Sequence, residues 1–229
     1  MNERRASQVW FFDLDNTLHN ASAHVFGALN VAMNEYIVRH LGVPGDQAAE
    51  LRSRYWHRYG ATLLGLVRHH GVSAAHFLAE THALPGMEPG LHSHAHDLAA
   101  LRRLPGRKFL LTNAPLDYAL RVLHTLGMAR DFEAVIAVEQ MRMFGQLRPK
   151  PDARMFRHLL ARLKLQPGQC ILVEDTLVHQ KAARRVGMST VWMQRWLKRA
   201  ATGPDAQRPL RRRPGYVDRR VRSLQTLLR

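Results

Sequence analysis

Apolar and polar residues along the chain form short apolar runs separated by stretches with helical spacing. Five runs have the composition of buried strands, at residues 9–12, 108–112, 134–138, 170–173 and 190–193. Helical patterns lie between the later runs, at residues 117–126, 153–163 and 180–186. Strands that alternate with helices through short connections predict an α/β fold with a Rossmann-like, doubly wound parallel sheet.

Residues 20–86 interrupt this alternation, because they show helical spacing and no strand pattern. The helix boundaries there are marked by Gly42 after the apolar positions from Val25 to Leu41, and by Asp46 and Ser73 as N-caps of helices over residues 47–58 and 74–82. We therefore expect a discontinuous α/β core formed by residues 1–18 and 95–229. A helical cap domain over residues 19–94 would be inserted into it.

Carboxylates follow two of the predicted strands. Asp13 and Asp15 end the first, and Glu174 and Asp175 end a later one. A carboxylate that attacks phosphorus needs a cation to hold its charge, and a second carboxyl beside it can protonate the leaving group. Mg²⁺ prefers such oxygen ligands, so Asp13 and Asp175 are candidate direct ligands, and Glu174 would act directly or through water.

Three further residues have the chemistry of phosphate binding. Thr112 and Asn113 offer a hydroxyl and an amide at the end of another strand. Lys150 offers a positive charge to the nucleophile and the transferred group. Pro149 and Pro151, on either side of it, restrict the backbone of the loop. These side chains and the carboxylates predict one site at the carboxyl edge of the sheet.

Four motifs carry a resemblance to a known family. They are Asp13-Leu14-Asp15-Asn16-Thr17-Leu18, Leu111-Thr112-Asn113-Ala114, Lys150-Pro151 and Val173-Glu174-Asp175-Thr176. In this order they resemble the haloacid dehalogenase-like (HAD) hydrolases, and the helical insertion resembles their C1-type cap. The resemblance implies that Asp13 forms an aspartyl-phosphate and that Asp15 is the general acid and base. It also implies Mg²⁺ held by Asp13, the backbone carbonyl of Asp15, and Asp175.

Within that superfamily the sequence is most similar to pyrimidine 5′-nucleotidases. The likeness includes Tyr55-Trp56-His57-Arg58-Tyr59-Gly60 and Gly65-Leu66-Val67 of the cap. It implies a pyrimidine nucleoside 5′-monophosphate as substrate, with Tyr55 and Tyr59 as candidate contacts to it. Core packing is the alternative explanation for both tyrosines. One departure is His179, which stands where the family often has Asn.

The formal net charge of +16 raises a different function class. Residues 195–229 hold 11 basic and 2 acidic residues, a net +9, against 23 and 16 in the first 194 residues, a net +7. Since the excess is densest around Arg211-Arg212-Arg213, outside the motifs, we expect a solvated basic segment and no specific nucleic-acid partner. A basic nucleic-acid-binding protein on this scaffold stays as an alternative. So does a C1-capped phosphatase for phosphoglycolate or a sugar phosphate.

The remaining features bound the setting of the protein. The lone Cys170 cannot form an internal disulfide, and no long apolar run is present, so we expect a cytoplasmic protein without a membrane partner. We expect a monomer or homodimer. The histidines at positions 92, 94 and 96 share one face only in a strand, yet they lead into a helix, so they are not expected to bind a metal.

Overall fold

The computed structural model describes residues 8–196 and 213–229 around a parallel β-sheet. The strands are β1 (Val9–Phe12), β2 (Arg107–Leu111), β3 (Ala134–Ile136), β4 (Arg142–Met143), β5 (Gln146–Leu147), β6 (Cys170–Glu174), β7 (Ser189–Met193) and β8 (Arg219–Val221). Six of them form one sheet in the order β3-β2-β1-β6-β7-β8, with every neighbouring pair parallel. β4 and β5 form a separate antiparallel hairpin. The predicted Rossmann-like sheet is confirmed.

The central strands are apolar along their whole length because both faces of the sheet are covered. In β1, Trp10 and Phe12 contribute to one apolar cluster, while Val9 and Phe11 contribute to another. The Phe11 ring stacks on Phe109 of β2 at a centroid distance of 5.3 Å. Continuous apolar runs are typical of parallel strands buried on both faces, which explains the clear sequence signal.

Helices cover the sheet and fill the long connection from β1 to β2. They are α1 (Ala21–His24), α2 (Phe26–Leu41), α3 (Gly45–Tyr59), α4 (Thr62–His70), α5 (Ala74–His82), α6 (Ala95–Arg103), α7 (Leu116–Thr125), α8 (Ala153–Arg162) and α9 (Leu177–Val186). Short 3₁₀ helices lie at Glu88–Gly90, Ala129–Asp131, Val138–Gln140, Pro167–Gln169 and Leu224–Leu228. Within the described residues, no helix is both long and apolar enough to cross a membrane.

The helix boundaries test the predicted caps. Gly42 ends α2 in the left-handed conformation at φ 68°, and the Ser73 hydroxyl accepts from the His76 amide at the start of α5, as predicted. The prediction for Asp46 is wrong, because α3 begins at Gly45, two residues before the predicted start at residue 47, and Pro44 is its N-cap. Asp46 lies in the first turn, where its negative charge interacts favourably with the helix dipole although its side chain does not cap the helix.

The helices α2 to α5 pack around an apolar cluster of their own. It includes Tyr36 and Ile37 of α2, Tyr55 of α3, Leu66 of α4 and Phe77 of α5, together with Val138 and Leu147 from beyond β3. Gly60, at φ 79°, approaches the loop after β5 so closely that a Cβ there would lie 3.1 Å from Pro151 Cδ. The helical insertion therefore contacts the loop that carries Lys150. Its division from the core as a separate domain stays a prediction.

The pattern of apolar residues did not predict every element. It missed α4 and the two-residue strands β4 and β5. Such short strands give too few alternating positions for a recognisable pattern. Of the predicted basic segment, Arg211 and Arg212 lie outside the described residues.

Candidate active site

Three carboxylates converge where the neighbouring strands β1 and β6 end. Asp13 directly follows β1, and its amide donates to the Val173 carbonyl at 2.9 Å, which extends the pairing of the two strands. Glu174 ends β6 and Asp175 follows it. One carboxylate oxygen from each of Asp13, Glu174 and Asp175 lies within 4.8 Å of the others. Because β1 and β6 are neighbours in the sheet, these side chains meet at one sheet edge, as the sequence predicts.

Lys150 lies fully buried between two of these carboxylates. Its ammonium donates to Asp13 Oδ1 at 2.7 Å, to Glu174 Oε2 at 2.8 Å and to the Leu111 carbonyl at 2.8 Å. Because an ammonium has three N–H groups, all its donors have protein acceptors. Lys150 therefore holds the Asp13 carboxylate in place, and a contact to phosphate would require it to release one of these acceptors.

Burial leaves the cluster with more negative charge than the protein neutralises. Burial, with repulsion from Glu174, raises the pKa of Asp13 to about 7 despite the opposing charge of Lys150, so the charge of this carboxylate is unfavourable until a cation offsets it. Burial and the charges of Glu174 and Asp13 likewise raise the pKa of Asp175. Burial acts on Glu174 in the same direction, but the charges of Lys150 and His179 and the hydrogen bonds to Glu174 together outweigh it and hold the Glu174 pKa well below its usual range.

This charge excess fits a divalent cation. When all three carboxyl groups are ionised, they exceed the one ammonium by two negative charges in a buried space, and the donors are the hard oxygens that Mg²⁺ prefers. Asp13, Asp175 and Glu174 are therefore the residues that could hold it. The backbone carbonyl of Asp15 stays a predicted ligand.

Backbone and side-chain groups of α9 and of the preceding turn hold Glu174 in position. The Thr176 amide donates to Glu174 Oε1 at 3.1 Å, and His179 Nδ1 lies 3.0 Å from Glu174 Oε2. The side-chain amide of the buried Gln180 donates from Nε2 to the backbone carbonyls of Glu174 and Val191, at 2.8 and 2.7 Å. His179, the departure from the family pattern, thus faces a carboxylate whose oxygens already have partners, which suits Glu174 to contact a metal through water.

Asp15 lies beside the cluster in a more open position. The turn after it is made by Asn16 in the left-handed conformation, at φ 59°, which Asn tolerates better than most residues. Asp15 Oδ1 accepts from the Tyr118 hydroxyl at 2.7 Å and lies 2.9 Å from His19 Nε2. Its side chain keeps 21% of its surface exposed. A carboxyl held in this way is oriented and still reachable by a substrate.

The polar residues after β2 have structural partners. Asn113 pairs with the backbone of Lys150 twice, donating from Nδ2 to the carbonyl at 2.9 Å and accepting the amide at 3.0 Å. Its side chain therefore positions the lysine loop. The buried Thr112 hydroxyl accepts from the Ala114 amide at 3.0 Å, which leaves its own hydrogen to donate. The predicted contacts of both residues to phosphate stay predictions.

The two cap tyrosines have partners inside the helical insertion. Tyr55 is 6% exposed, packs onto Gly65, and its hydroxyl lies 2.8 Å from His70 Nε2. Tyr59 is partly exposed, with its hydroxyl 2.5 Å from His69 Nε2. These contacts favour core packing for Tyr55. Tyr59, next to the Gly60 that approaches Pro151, is the better placed of the two for substrate.

Sequence reasoning missed Tyr118 and His19 as partners of Asp15. Tyr118 is separated from Asp15 by 103 positions, so no local spacing connects them. His19 stands four residues after Asp15, and the tight turn at Asn16 is what brings the two side chains together. The sequence signal for this pair is a histidine four residues after Asp15.

The sequence matches a family model described as haloacid dehalogenase-like hydrolase over residues 8–187. The chain belongs to the haloacid dehalogenase-like hydrolases. This confirms the superfamily that the four motifs indicated, while the closer likeness to pyrimidine 5′-nucleotidases stays a prediction. The match begins just before β1 and includes every residue of the carboxylate cluster.

Named relatives of this HAD hydrolase include two curated proteins. It is 25% identical over 200 residues to phosphate metabolism protein 8 of Saccharomyces cerevisiae, covering 81% of this chain and 61% of the yeast protein. It is 33% identical over 104 residues to a plasmid-encoded phosphoglycolate phosphatase of Cupriavidus necator, covering 45% of this chain and 40% of that protein. The chain thus spans less than two thirds of the length of either relative.

Solved structures show the same fold. A HAD phosphatase from Thermococcus onnurineus matches with a TM-score of 0.61 and 21% identity, covering 96% of this chain and 95% of the other. CbbY from Rhodobacter sphaeroides, in complex with phosphate, matches with a TM-score of 0.62 and 18% identity, covering 96% of each chain. At these identities the likeness establishes the architecture alone.

Proposed function

We propose that this HAD hydrolase is a Mg²⁺-dependent phosphomonoesterase that acts on pyrimidine nucleoside 5′-monophosphates. The observation that carries the proposal is the carboxylate of Asp13, held at 2.7 Å by a buried lysine beside two further carboxylates. A carboxylate that is held in position, and whose negative charge is stabilised by Lys150 and Mg²⁺, is suited to attack phosphorus. The names of two relatives, which refer to phosphate metabolism and to a phosphatase, support this chemistry.

The proposed reaction has two steps. An oxygen of Asp13 forms a bond to phosphorus, the bond from phosphorus to the ester oxygen breaks, and Asp15 gives a proton to that departing oxygen. Asp15 then takes a proton from water, whose oxygen attacks the aspartyl-phosphate and releases inorganic phosphate and free Asp13. Lys150 keeps Asp13 oriented in both steps, and Tyr118 does the same for Asp15.

Bound Mg²⁺, held by Asp13, the backbone carbonyl of Asp15, Asp175 and Glu174, would offset the charge of the carboxylates and of the incoming phosphate. Glu174 would reach it directly or through water. The substrate is a small molecule in this proposal, with no nucleic-acid partner. We place the protein in the cytoplasm, where its buried, free Cys170 would stay reduced.

A second candidate substrate class follows from the comparisons. The Cupriavidus necator relative is named a phosphoglycolate phosphatase and is 33% identical to this chain over 104 residues. Tyr55 is occupied with packing, so the cap motif alone does not select a nucleotide base. A small phosphomonoester such as phosphoglycolate is therefore the alternative, on the same catalytic residues.

The test of catalysis is phosphate release by Asp13→Asn. The variant keeps the shape of the side chain and removes the nucleophile, so we expect activity to fall about a thousandfold or more. Asp117→Asn, at an exposed carboxylate in the first turn of α7, is the matched control and should keep full activity. Retained activity in Asp13→Asn would disprove the proposed nucleophile.

The test of specificity is a substrate panel with and without Mg²⁺. UMP, CMP and their deoxy forms are compared with AMP, GMP and phosphoglycolate. The proposal expects release with Mg²⁺ only, and faster release from the pyrimidine nucleotides. Equal rates on purine and pyrimidine nucleotides would reject the specificity for pyrimidines. A preference for phosphoglycolate would reject nucleotides as the substrate class, and either result would leave the proposed phosphatase activity. Binding to RNA or DNA, measured by filter retention across salt concentrations, would support the nucleic-acid alternative.

A further inference from the structure

Two helices of the insertion bring two imidazoles and a carboxylate together, away from the Asp13 cluster. His40 lies near the end of α2, while His76 and Glu80 lie one turn apart on α5. His76 Nε2 is 2.7 Å from Glu80 Oε1, and His40 Nε2 is 3.3 Å from Glu80 Oε2. One ligand atom from each of the three residues lies within 4.8 Å of the others.

These separations match those of a metal's ligands. Zinc bonds of about 2.0–2.1 Å to nitrogen or oxygen place tetrahedral ligand atoms roughly 3.3 Å apart. The distances from the His76 and His40 nitrogens to the Glu80 oxygens, 2.7 and 3.3 Å, lie at or below this value, so small side-chain rotations would bring the three residues to one ion. The rings of His40 and His76 are 5.0 Å apart and nearly perpendicular, which keeps them from stacking on each other.

Tyr36 prepares one of the histidines. Its hydroxyl lies 3.0 Å from His76 Nδ1, and its side chain is 2% exposed, within the apolar cluster of the insertion. A histidine that binds a metal usually has its other ring nitrogen in a hydrogen bond, which fixes the ring and the tautomer. When Tyr36 accepts from Nδ1, the lone pair of His76 is on Nε2, the atom that faces Glu80.

We propose that His40, His76 and Glu80 form a binding site for a divalent transition metal, with Zn²⁺ the best match. Two nitrogens and one carboxylate oxygen suit Zn²⁺, whereas Mg²⁺ prefers oxygen ligands alone. The side chains are 32%, 49% and 30% exposed in that order, so a fourth ligand would be water. The bound ion would link α2 to α5 across the helical insertion.

Arg39 provides a way to separate this site from a network of ion pairs. It donates to Glu80 Oε2 at 2.9 Å, and its own side chain is 61% exposed, so it can turn into solvent when an ion binds. Arg39 competes with a metal for the carboxylate and cannot be a ligand. A metal site and an ion-pair network therefore make opposite predictions for its removal.

The experiment is calorimetric titration of Zn²⁺ into the full chain in excess Mg²⁺, which competes with Zn²⁺ for the carboxylate cluster. We expect a binding event that weakens at least tenfold in His40→Gln and in His76→Gln, while Arg39→Gln binds equally or more tightly. Tyr36→Phe should weaken it about tenfold through loss of the bond to His76. His158→Gln, at an exposed histidine on α8, is the matched control.

A second readout shows the ligand environment. Co²⁺ bound by two imidazoles, a carboxylate and water should give visible absorption bands of a four-coordinate ion, and His76→Gln should abolish them. Circular dichroism shows whether each variant remains folded. The proposal is overturned if folded His40→Gln and His76→Gln bind Zn²⁺ as the unaltered protein does. It is also overturned if Arg39→Gln weakens binding as much as they do. Neither result depends on the phosphatase activity.

Discussion

The hydroxyl of Tyr118 defines the orientation of Asp15. It is buried at 2% exposure and donates at 2.7 Å. Burial and the charge of Asp15 raise the Tyr118 pKa well above its usual value, so the hydroxyl keeps its proton at any physiological pH. A donor that never ionises can hold the proposed general acid while that acid loses and regains its own proton.

Tyr118→Phe tests this role. The substitution keeps the ring and removes one hydrogen bond to a charged group, worth about 1.5 kcal/mol or more, so we expect roughly tenfold slower cleavage of a nucleotide. Single-turnover cleavage of p-nitrophenyl phosphate, whose leaving group needs no proton, should change much less. Tyr216→Phe, at a partly exposed tyrosine between β7 and β8, serves as the control. Equal slowing of both substrates by Tyr118→Phe would contradict a role in orienting the acid.

His82, whose ring centroid lies 5.9 Å from that of Tyr118, makes stability depend on pH. Burial lowers its pKa from 6.5 to about 4, although the charge of Asp15 acts in the opposite direction. As pH falls from 6.5 towards 4, the unfolded chain takes up a proton that the folded chain refuses. The stability present above pH 6.5 is therefore lost across that window, by about 3 kcal/mol in all.

Urea unfolding at pH 7.5 and at pH 5 measures this loss. We expect His82 to account for about 2 kcal/mol of the decrease in unfolding free energy between the two pH values. His82→Leu cannot take up the proton, so its decrease should be smaller by that amount, whereas His158→Gln should behave as the unaltered chain does. Parallel decreases in all three proteins would show that His82 is not the group responsible.

At the scale of elements, α3 and α4 meet at a glycine. A Cβ on Gly65 would lie 2.1 Å from Tyr55 Cγ, a distance that forces one helix to move. The absence of a side chain at Gly65 lets Tyr55 pack directly against α4, and the Tyr55 hydroxyl lies 2.8 Å from His70 Nε2. The Tyr-and-Gly pattern in the cap sequence therefore has a packing explanation that is independent of any substrate.

Gly65→Ala should accordingly destabilise the protein by about 1–3 kcal/mol through overpacking. Gly27→Ala is a matched control, because Gly27 is also helical and nothing lies within 4 Å of its added Cβ. That change should stabilise by up to about 1 kcal/mol, from helix propensity alone. Chemical denaturation compares the two variants, and equal effects would show that the contact with Tyr55 is unimportant.

Elements were predictable from sequence where local signals agree with tertiary packing. β1 and β6 are apolar on both faces, so their boundaries and the carboxylates after them were evident. Contacts between distant residues were not. Tyr118 of α7 reaches Asp15 in the loop after β1, and His40 of α2 reaches Glu80 of α5, only because elements distant in sequence pack together. The sequence draws attention only to histidines close together along the chain, at positions 92, 94 and 96, and such spacing carries no information about helix pairing.

For the molecule as a whole, positive charge and the acidic site act at different ranges. The carboxylate cluster is buried, and Lys150 offsets part of it, so its field at a distance is weak beside a formal net charge of +16. The basic excess is spread over the chain and is densest after residue 195. Such a field attracts a dianionic phosphate ester before any specific contact forms, and salt screens it within about 10 Å at 0.1 M.

Association and chemistry should therefore respond differently to salt. Raising KCl from 20 to 200 mM should lower kcat/KM for the preferred phosphomonoester several-fold, because kcat/KM includes the encounter, and it should leave kcat nearly unchanged. Replacing Arg211, Arg212 and Arg213 by Gln should flatten the dependence without lowering kcat, since these residues lie outside the motifs. Stopped-time phosphate assays at constant Mg²⁺ measure both constants. A kcat/KM that does not change with salt would mean that substrate capture depends only on contacts inside the site.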